Sequence, residues 1–164
     1  MDQQELRALL ENLARGDCTV DQVIEQLKLF PYESLSGFAN LDHHRSLRTG
    51  FPEVIFAQGK TPDQVVEIFL RLQNRNKQVL ATRVSTEMFS QIRDRLPGVN
   101  YQPSARVLYI DQDLERVKQP GILVLTAGTS DIPFAEEAAI TAELMGNQVE
   151  RVYDVGVAGL HRLL

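Results

Sequence analysis

Residues 119–164 carry the pattern that restricts the fold most. Ile122-Leu123-Val124-Leu125 is a short, unbroken apolar run, followed by Thr126-Ala127-Gly128-Thr129-Ser130-Asp131, an alanine-rich segment and a second apolar run. A strand without polar alternation is covered on both faces, the usual condition of a parallel strand. Pro133 fits the first turn of a helix, Ala135, Ala138, Ala139, Ala142 and Leu144 give it a small-residue packing face, and Gly146 closes it. The spacing then predicts a second strand over 149–157. Such a unit is a right-handed crossover, with the Gly128 loop at the carboxyl end of its first strand.

The same alternation begins at Glu53. Val54-Ile55-Phe56-Ala57 reads as a buried strand. Thr61, Pro62 and Gln64 open a helix to about residue 74, with Val65, Ile68, Phe69 and Leu72 facing the core. Val79-Leu80-Ala81-Thr82 is the next strand. Ser85 starts a helix bearing Met88, Phe89, Ile92 and Leu96, which Pro97-Gly98 stops, and Val107-Leu108-Tyr109-Ile110 is a further strand. Upstream, Leu6, Leu9, Leu10 and Leu13 mark one helix face, and Val20, Val23, Ile24 and Leu27, behind a Thr19/Gln22 capping box, mark another. The two predict a helical hairpin ending before Pro31. Residues 31–50 read as polar and irregular, with Tyr32 and Phe38 as anchors, either holding a ligand or connecting elements.

Residues 111–119 are polar and read as a linker or an exposed turn, which places a domain boundary near 118. Charge divides there too, since residues 119–164 hold six acids and two bases and residues 1–118 hold sixteen and fifteen. The expected class is α/β: a helical hairpin plus a small α/β domain over 1–118, then the opening of a doubly wound parallel-sheet domain over 119–164.

Composition narrows the partners. With 164 residues, 43% of them apolar, the chain can bury a core, which excludes disorder, collagen and coiled coil. A formal charge of -5 and scattered Lys and Arg argue against a nucleic-acid surface, while a small anionic ligand stays open. The single cysteine, Cys18, cannot form an internal disulfide and suits a reducing compartment. With no leader-like N-terminus and no apolar run of membrane-spanning length, the expectation is a cytoplasmic protein without membrane partners.

The Gly128 loop is where phosphate binding is expected. Gly128 lets a ligand approach the backbone, the following helix offers unpaired N–H groups, Thr129 and Ser130 add hydroxyls, and Asp131 can accept from a ribose hydroxyl. The same residues equally serve as a helix cap and a turn. The second strand leads into Asp154-Val155-Gly156-Val157-Ala158-Gly159-Leu160-His161-Arg162, which sets an imidazole and a guanidinium at the same sheet edge.

The run GILVLTAGTSDIPFAEEAAITAELMGNQVERVYDVGVAGLHRLL at 121–164, with GFPEVIFAQGKTPDQV at 50–65 and VLATR at 79–83, resembles the LarB family of pyridinium-3,5-biscarboxylic acid mononucleotide synthases in nickel-pincer cofactor synthesis. The last third is also similar to the PurE carboxyaminoimidazole ribonucleotide mutases. There Gly128-Thr129-Ser130-Asp131 matches a Gly-Ser-x-Ser-Asp loop, and His161-Arg162 resembles the family's His-Arg. The resemblance implies carboxylation of the pyridinium ring of nicotinic acid adenine dinucleotide with carbon dioxide or bicarbonate, and phosphoanhydride cleavage that releases AMP. His161 would then transfer a proton and Arg162 hold a carboxylate or phosphate, with Asp154 beside them. A Mg2+ ion would arrive on the diphosphate, and assembly into homo-oligomers is expected. The alternatives are aminoimidazole ribonucleotide carboxylation in purine synthesis, or a nucleotide-binding or assembly module without catalysis.

Family members continue beyond the position matching Leu164, and their covalent cysteine lies there in an Asn-Ser-Cys segment. The reading is therefore of a fragment or a shortened protein, with Cys18 structural or incidental. Gly59-Lys60-Thr61 ends like a P-loop, but Val54 stands where that motif needs glycine. The family context makes Lys60 a candidate anion contact, with Glu53 near it, the alternative being a solvated lysine by the helix cap, and it favours Arg45 and Arg48 as phosphate contacts over surface ion pairs. Arg83 is a phosphate contact or a surface ion pair. His43 and His44 are adjacent, diverge by about 100° on a helix and chelate one metal poorly, so no protein-bound metal is expected.

Overall fold

The structure is a computed structural model, and it describes residues 3–27, 32–35, 37–42, 45–113 and 115–162, apart from the side chains of 3, 32–34, 47, 48 and 160. Contacts divide the chain into two compact units, residues 1–53 with 74–76, and residues 54–73 with 77–164.

The first unit opens with α1 (Gln3–Arg15) and α2 (Val20–Leu27). The Thr19 amide donates to Gln22 Oε1 at 2.8 Å and the Gln22 amide to Thr19 Oγ1 at 3.2 Å, the reciprocal cap that the spacing predicts. Of the expected stripes only Leu9 and Val23 are buried, while Leu10, Val20 and Ile24 are exposed. Residues 31–50 differ from the expectation of irregular chain. Among them β1 (Tyr32–Leu35) pairs antiparallel with β2 (Ala39–Asp42), and α3 (Arg45–Thr49) follows. Gly37, at φ +77°, makes the turn and buried Leu35 and Leu41 anchor it, not Phe38, which is exposed. Four-residue strands are too short to display an alternation.

The second unit is a mixed sheet with helices. β3 (Val54–Phe56) runs parallel to β4 (Gln78–Thr82), β4 pairs antiparallel with β6 (Val107–Asp111), and β6 with a short, polar edge strand β5 (Asn100–Gln102) that the sequence reading lacks. Between β3 and β4 lies α4 (Pro62–Gln73), capped by Thr61 and Gln64 as expected, with Val65, Val66, Ile68, Phe69 and Leu72 buried. After β4, α5 (Thr86–Ile92) is capped by the Ser85 hydroxyl, which accepts from the Met88 amide at 3.2 Å.

β7 (Gln119–Leu125) and β8 (Asn147–Val152) form a separate parallel pair joined by α6 (Ile132–Leu144). The chain is thus α/β with parallel pairing. Ile140 and Leu144 of α6 share one buried cluster with Leu80, Ala105 and Val107, while α6 also packs on β7 and β8. A helix apolar on most sides suits a place between two layers. Ala138, expected on the packing face, is exposed. The expected boundary near 118 falls inside this compact unit. Arg116, in the polar stretch before β7, reaches Asp111 Oδ2 at 3.3 Å and the Glu143 carbonyl at 3.2 Å, so that stretch is anchored. Among the described residues no helix is long and apolar enough to cross a membrane.

Candidate functional site

The carboxyl ends of β7 and β8 are sewn together by backbone hydrogen bonds. The Thr126 amide donates to the Val152 carbonyl at 3.2 Å, the Val155 amide to the Thr126 carbonyl at 2.9 Å, and the Gly156 amide to the Ala127 carbonyl at 2.9 Å. Thr126, only 3% exposed, turns its hydroxyl oxygen to the Asp154 amide at 3.0 Å. A Cβ on Gly156 would stand 2.5 Å from the Ala127 carbonyl oxygen, so only glycine permits this approach. Here the chain leaves the strand geometry expected for 149–157. β8 ends at Val152 because the next amides serve the neighbouring loop and Asp154 turns at φ +58°.

On the first loop, Thr129–Asp131 form a 3-10 turn that runs into α6. Gly128 is extended, and the Asp131 carboxylate accepts from its amide at 3.1 Å. Asp131 stands at the N-cap position of α6, but its carboxylate bonds back to the 3-10 turn and makes no side-chain cap for the helix. Thr129 and Ser130 are exposed at the first two positions of the turn, where amides lack helical carbonyl partners. On the second loop, a 3-10 turn spans Val157–Arg162. Arg162 Nη1 donates to the Asp154 carbonyl at 2.9 Å and pairs with the Asp154 carboxylate. His161 is exposed beside it, and no described residue pairs with it. Six of the predicted site residues, Gly128, Thr129, Ser130, Asp131, Asp154 and Arg162, thus lie on two loops bonded to each other, with His161 on the second.

The other predicted residues lie on other elements. Lys60 follows β3, its amide closing the Gly59 turn on the Ala57 carbonyl at 3.0 Å. Arg45 is exposed on α3 in the first unit, and the Arg48 side chain, His43 and His44 lie outside the described residues. Glu53, expected near Lys60, accepts from the Asp42 amide at 2.8 Å and ties down the hairpin of the first unit. Cys18 is half-buried between α1 and α2, with Sγ 4.0 Å from the Leu9 carbonyl.

A network absent from the sequence reading braces the second loop against α6. Arg151 grips Glu143 with two bonds, of 2.7 and 2.9 Å, and reaches Glu136 at 3.4 Å, while the Tyr153 hydroxyl donates to Glu136. Burial first, then the Glu136 hydrogen bond, push the Tyr153 phenol up to about 12. The Glu143 carboxylate holds the Arg151 guanidinium charged above its ordinary range. Arg83, at φ +60° past the end of β4, pairs with Glu137 at 2.9 Å, the ion-pair role. Among the described residues no three acidic, histidine or cysteine groups converge as a metal site.

Parallel strands with glycine-bearing loops and a helix start at their carboxyl ends are the arrangement in which open α/β sheets usually bind ligands. Residues 32–112 match the LarB/PurE-like N-terminal domain. An uncharacterized protein of Methanocaldococcus jannaschii is 39% identical over 166 residues, which cover 96% of this chain and 64% of that protein. The chain thus falls in a PurE-like, carboxylase-related class. Within it, residues 32–112 carry the N-terminal domain of the LarB family.

Proposed function

We propose that this chain carboxylates the pyridinium ring of nicotinic acid adenine dinucleotide with carbon dioxide or bicarbonate, and hydrolyses the phosphoanhydride to release AMP, in nickel-pincer cofactor synthesis. The observation that supports the reading is the joining of the 126–131 and 154–162 loops at one sheet edge, since Thr129, Ser130 and Asp131 stand on one loop and His161 and Arg162 on the other. Thr129 and Ser130 donate to the diphosphate from the start of α6. Asp131, already bonded to the loop amide, accepts from a ribose hydroxyl. Arg162 exchanges Asp154 for the substrate's carboxylate or phosphate. Their side chains are 51% and 45% exposed, and ion pairs that exposed hold weakly, so the exchange is easy. His161 takes or returns the proton as a ring carbon exchanges hydrogen for carboxylate. Lys60 adds an anion contact, Mg2+ comes with the diphosphate, and the chain works in the cytoplasm as a homo-oligomer.

The chain spans 64% of the length of the relative it matches, so the reaction is tested directly on it. The purified chain is incubated with nicotinic acid adenine dinucleotide, Mg2+ and bicarbonate, and products are read by mass spectrometry. AMP and a doubly carboxylated mononucleotide are expected, both lost in a Thr129→Ala/Ser130→Ala variant. A parallel incubation with aminoimidazole ribonucleotide serves the second reading, purine-type carboxylation, which draws on the Gly128-Thr129-Ser130-Asp131 loop. Product from that substrate alone would replace the proposal. Dinucleotide binding without any product would leave a binding module.

A further inference from the structure

Phe134 stands in the first turn of α6 and is 59% exposed, although it is a large apolar ring beside a polar loop. One face of the ring is covered by the Arg83 guanidinium, 5.3 Å from its centroid. Arg83 is itself fixed, by Glu137 at 2.9 Å and by a left-handed backbone conformation that an arginine rarely adopts. Backbone strain of this kind persists where the surroundings impose it, and it clusters at ligand sites. A braced aromatic ring with an open face, about 5 Å along the helix from Asp131, is a stacking surface within a nucleoside's reach of the ribose acceptor.

We propose that the open face of Phe134, backed by Arg83, is the platform on which the adenine of the dinucleotide stacks. This rests on the nucleotide reading above and adds the orientation of the substrate. A ring already carrying a guanidinium on one face attracts a neutral heterocycle and disfavours a second cation, so adenine belongs here, and the pyridinium, whose own carboxylate can pair with the Arg162 guanidinium, belongs toward His161 and Arg162.

The test uses the whole chain and two probes, AMP and nicotinic acid mononucleotide, titrated calorimetrically into the native protein and Phe134→Leu. Because the native sequence has no tryptophan, Phe134→Trp adds a unique fluorophore at the platform. Phe134→Leu weakens AMP binding about tenfold and leaves nicotinic acid mononucleotide unchanged, while AMP quenches the indole fluorescence of the Phe134→Trp variant. Equal AMP affinity in the native and leucine proteins, an equal loss for both probes, or no AMP binding at all would overturn the proposal. Phe134-dependent AMP binding without carboxylated product would retain the platform and remove the reaction, so the two fail separately.

Discussion

Gly156 and Thr126 show what single residues contribute to this edge. Gly156 removes the Cβ that would strike the Ala127 carbonyl, and Thr126 supplies a buried hydroxyl to the Asp154 amide, so two loops bonded across 28 positions of sequence hold one geometry. The proposed site residues, Thr129, Ser130, Asp131, His161 and Arg162, are distinguishable in the sequence because they follow apolar strands as exposed polar groups. Gly156 and Thr126 are not, because their roles depend on a partner brought close by folding. Nor is Tyr153, whose position on β8's exit reveals nothing of Glu136 on α6. Tyr153 makes a pH prediction. Its phenol ionises near 10 when unfolded and near 12 when folded, so between those values the unfolded chain releases the proton first. Stability is therefore full below about pH 10 and falls as pH rises toward about 12, and Tyr153→Phe flattens that fall in urea titrations. Identical slopes for both proteins would contradict the assignment.

Among elements, the helices with caps are the most legible. Thr19/Gln22, Thr61/Gln64 and Ser85 each bond as their spacing predicts, because a cap is a local interaction that needs no tertiary partner. The β1–β2 hairpin and the β5 edge strand escape for the opposite reason, being short segments whose strand character comes from pairing. The apolar pattern overstates the length of β8 because residues 153–157 resemble a strand while the amides of Asp154, Val155 and Gly156 donate to the neighbouring loop. α6 is the element whose packing matters most, since Ile140 and Leu144 join the cluster of β4 and β6 while the helix also covers β7 and β8. Leu144→Ala should destabilise the chain by about 2–5 kcal/mol in urea denaturation, as expected for a buried leucine truncated in a packed cluster. A loss below about 1 kcal/mol would mean that the cluster does not hold α6 in solution.

At the scale of the whole molecule, the composition change near 118 and the compact units record different things. The match to the LarB/PurE-like N-terminal domain ends at residue 112, close to the change in charge, yet residues on both sides share one buried cluster. Charge reports what faces solvent, and a cluster of leucine, isoleucine and valine leaves no mark on it. The β7–β8 pair keeps Leu123 and Leu125 about half exposed, whereas the sequence pattern expects cover on both faces. The central claim is that the two loops at the end of this pair act as one nucleotide site. The most direct measurement is amide hydrogen exchange of the chain with and without nicotinic acid adenine dinucleotide. Simultaneous slowing over 126–131 and 154–162, with the exposed hairpin of α1 and α2 unchanged, is the predicted result. Slowing on one loop alone, or at neither while calorimetry shows the dinucleotide bound, would contradict it.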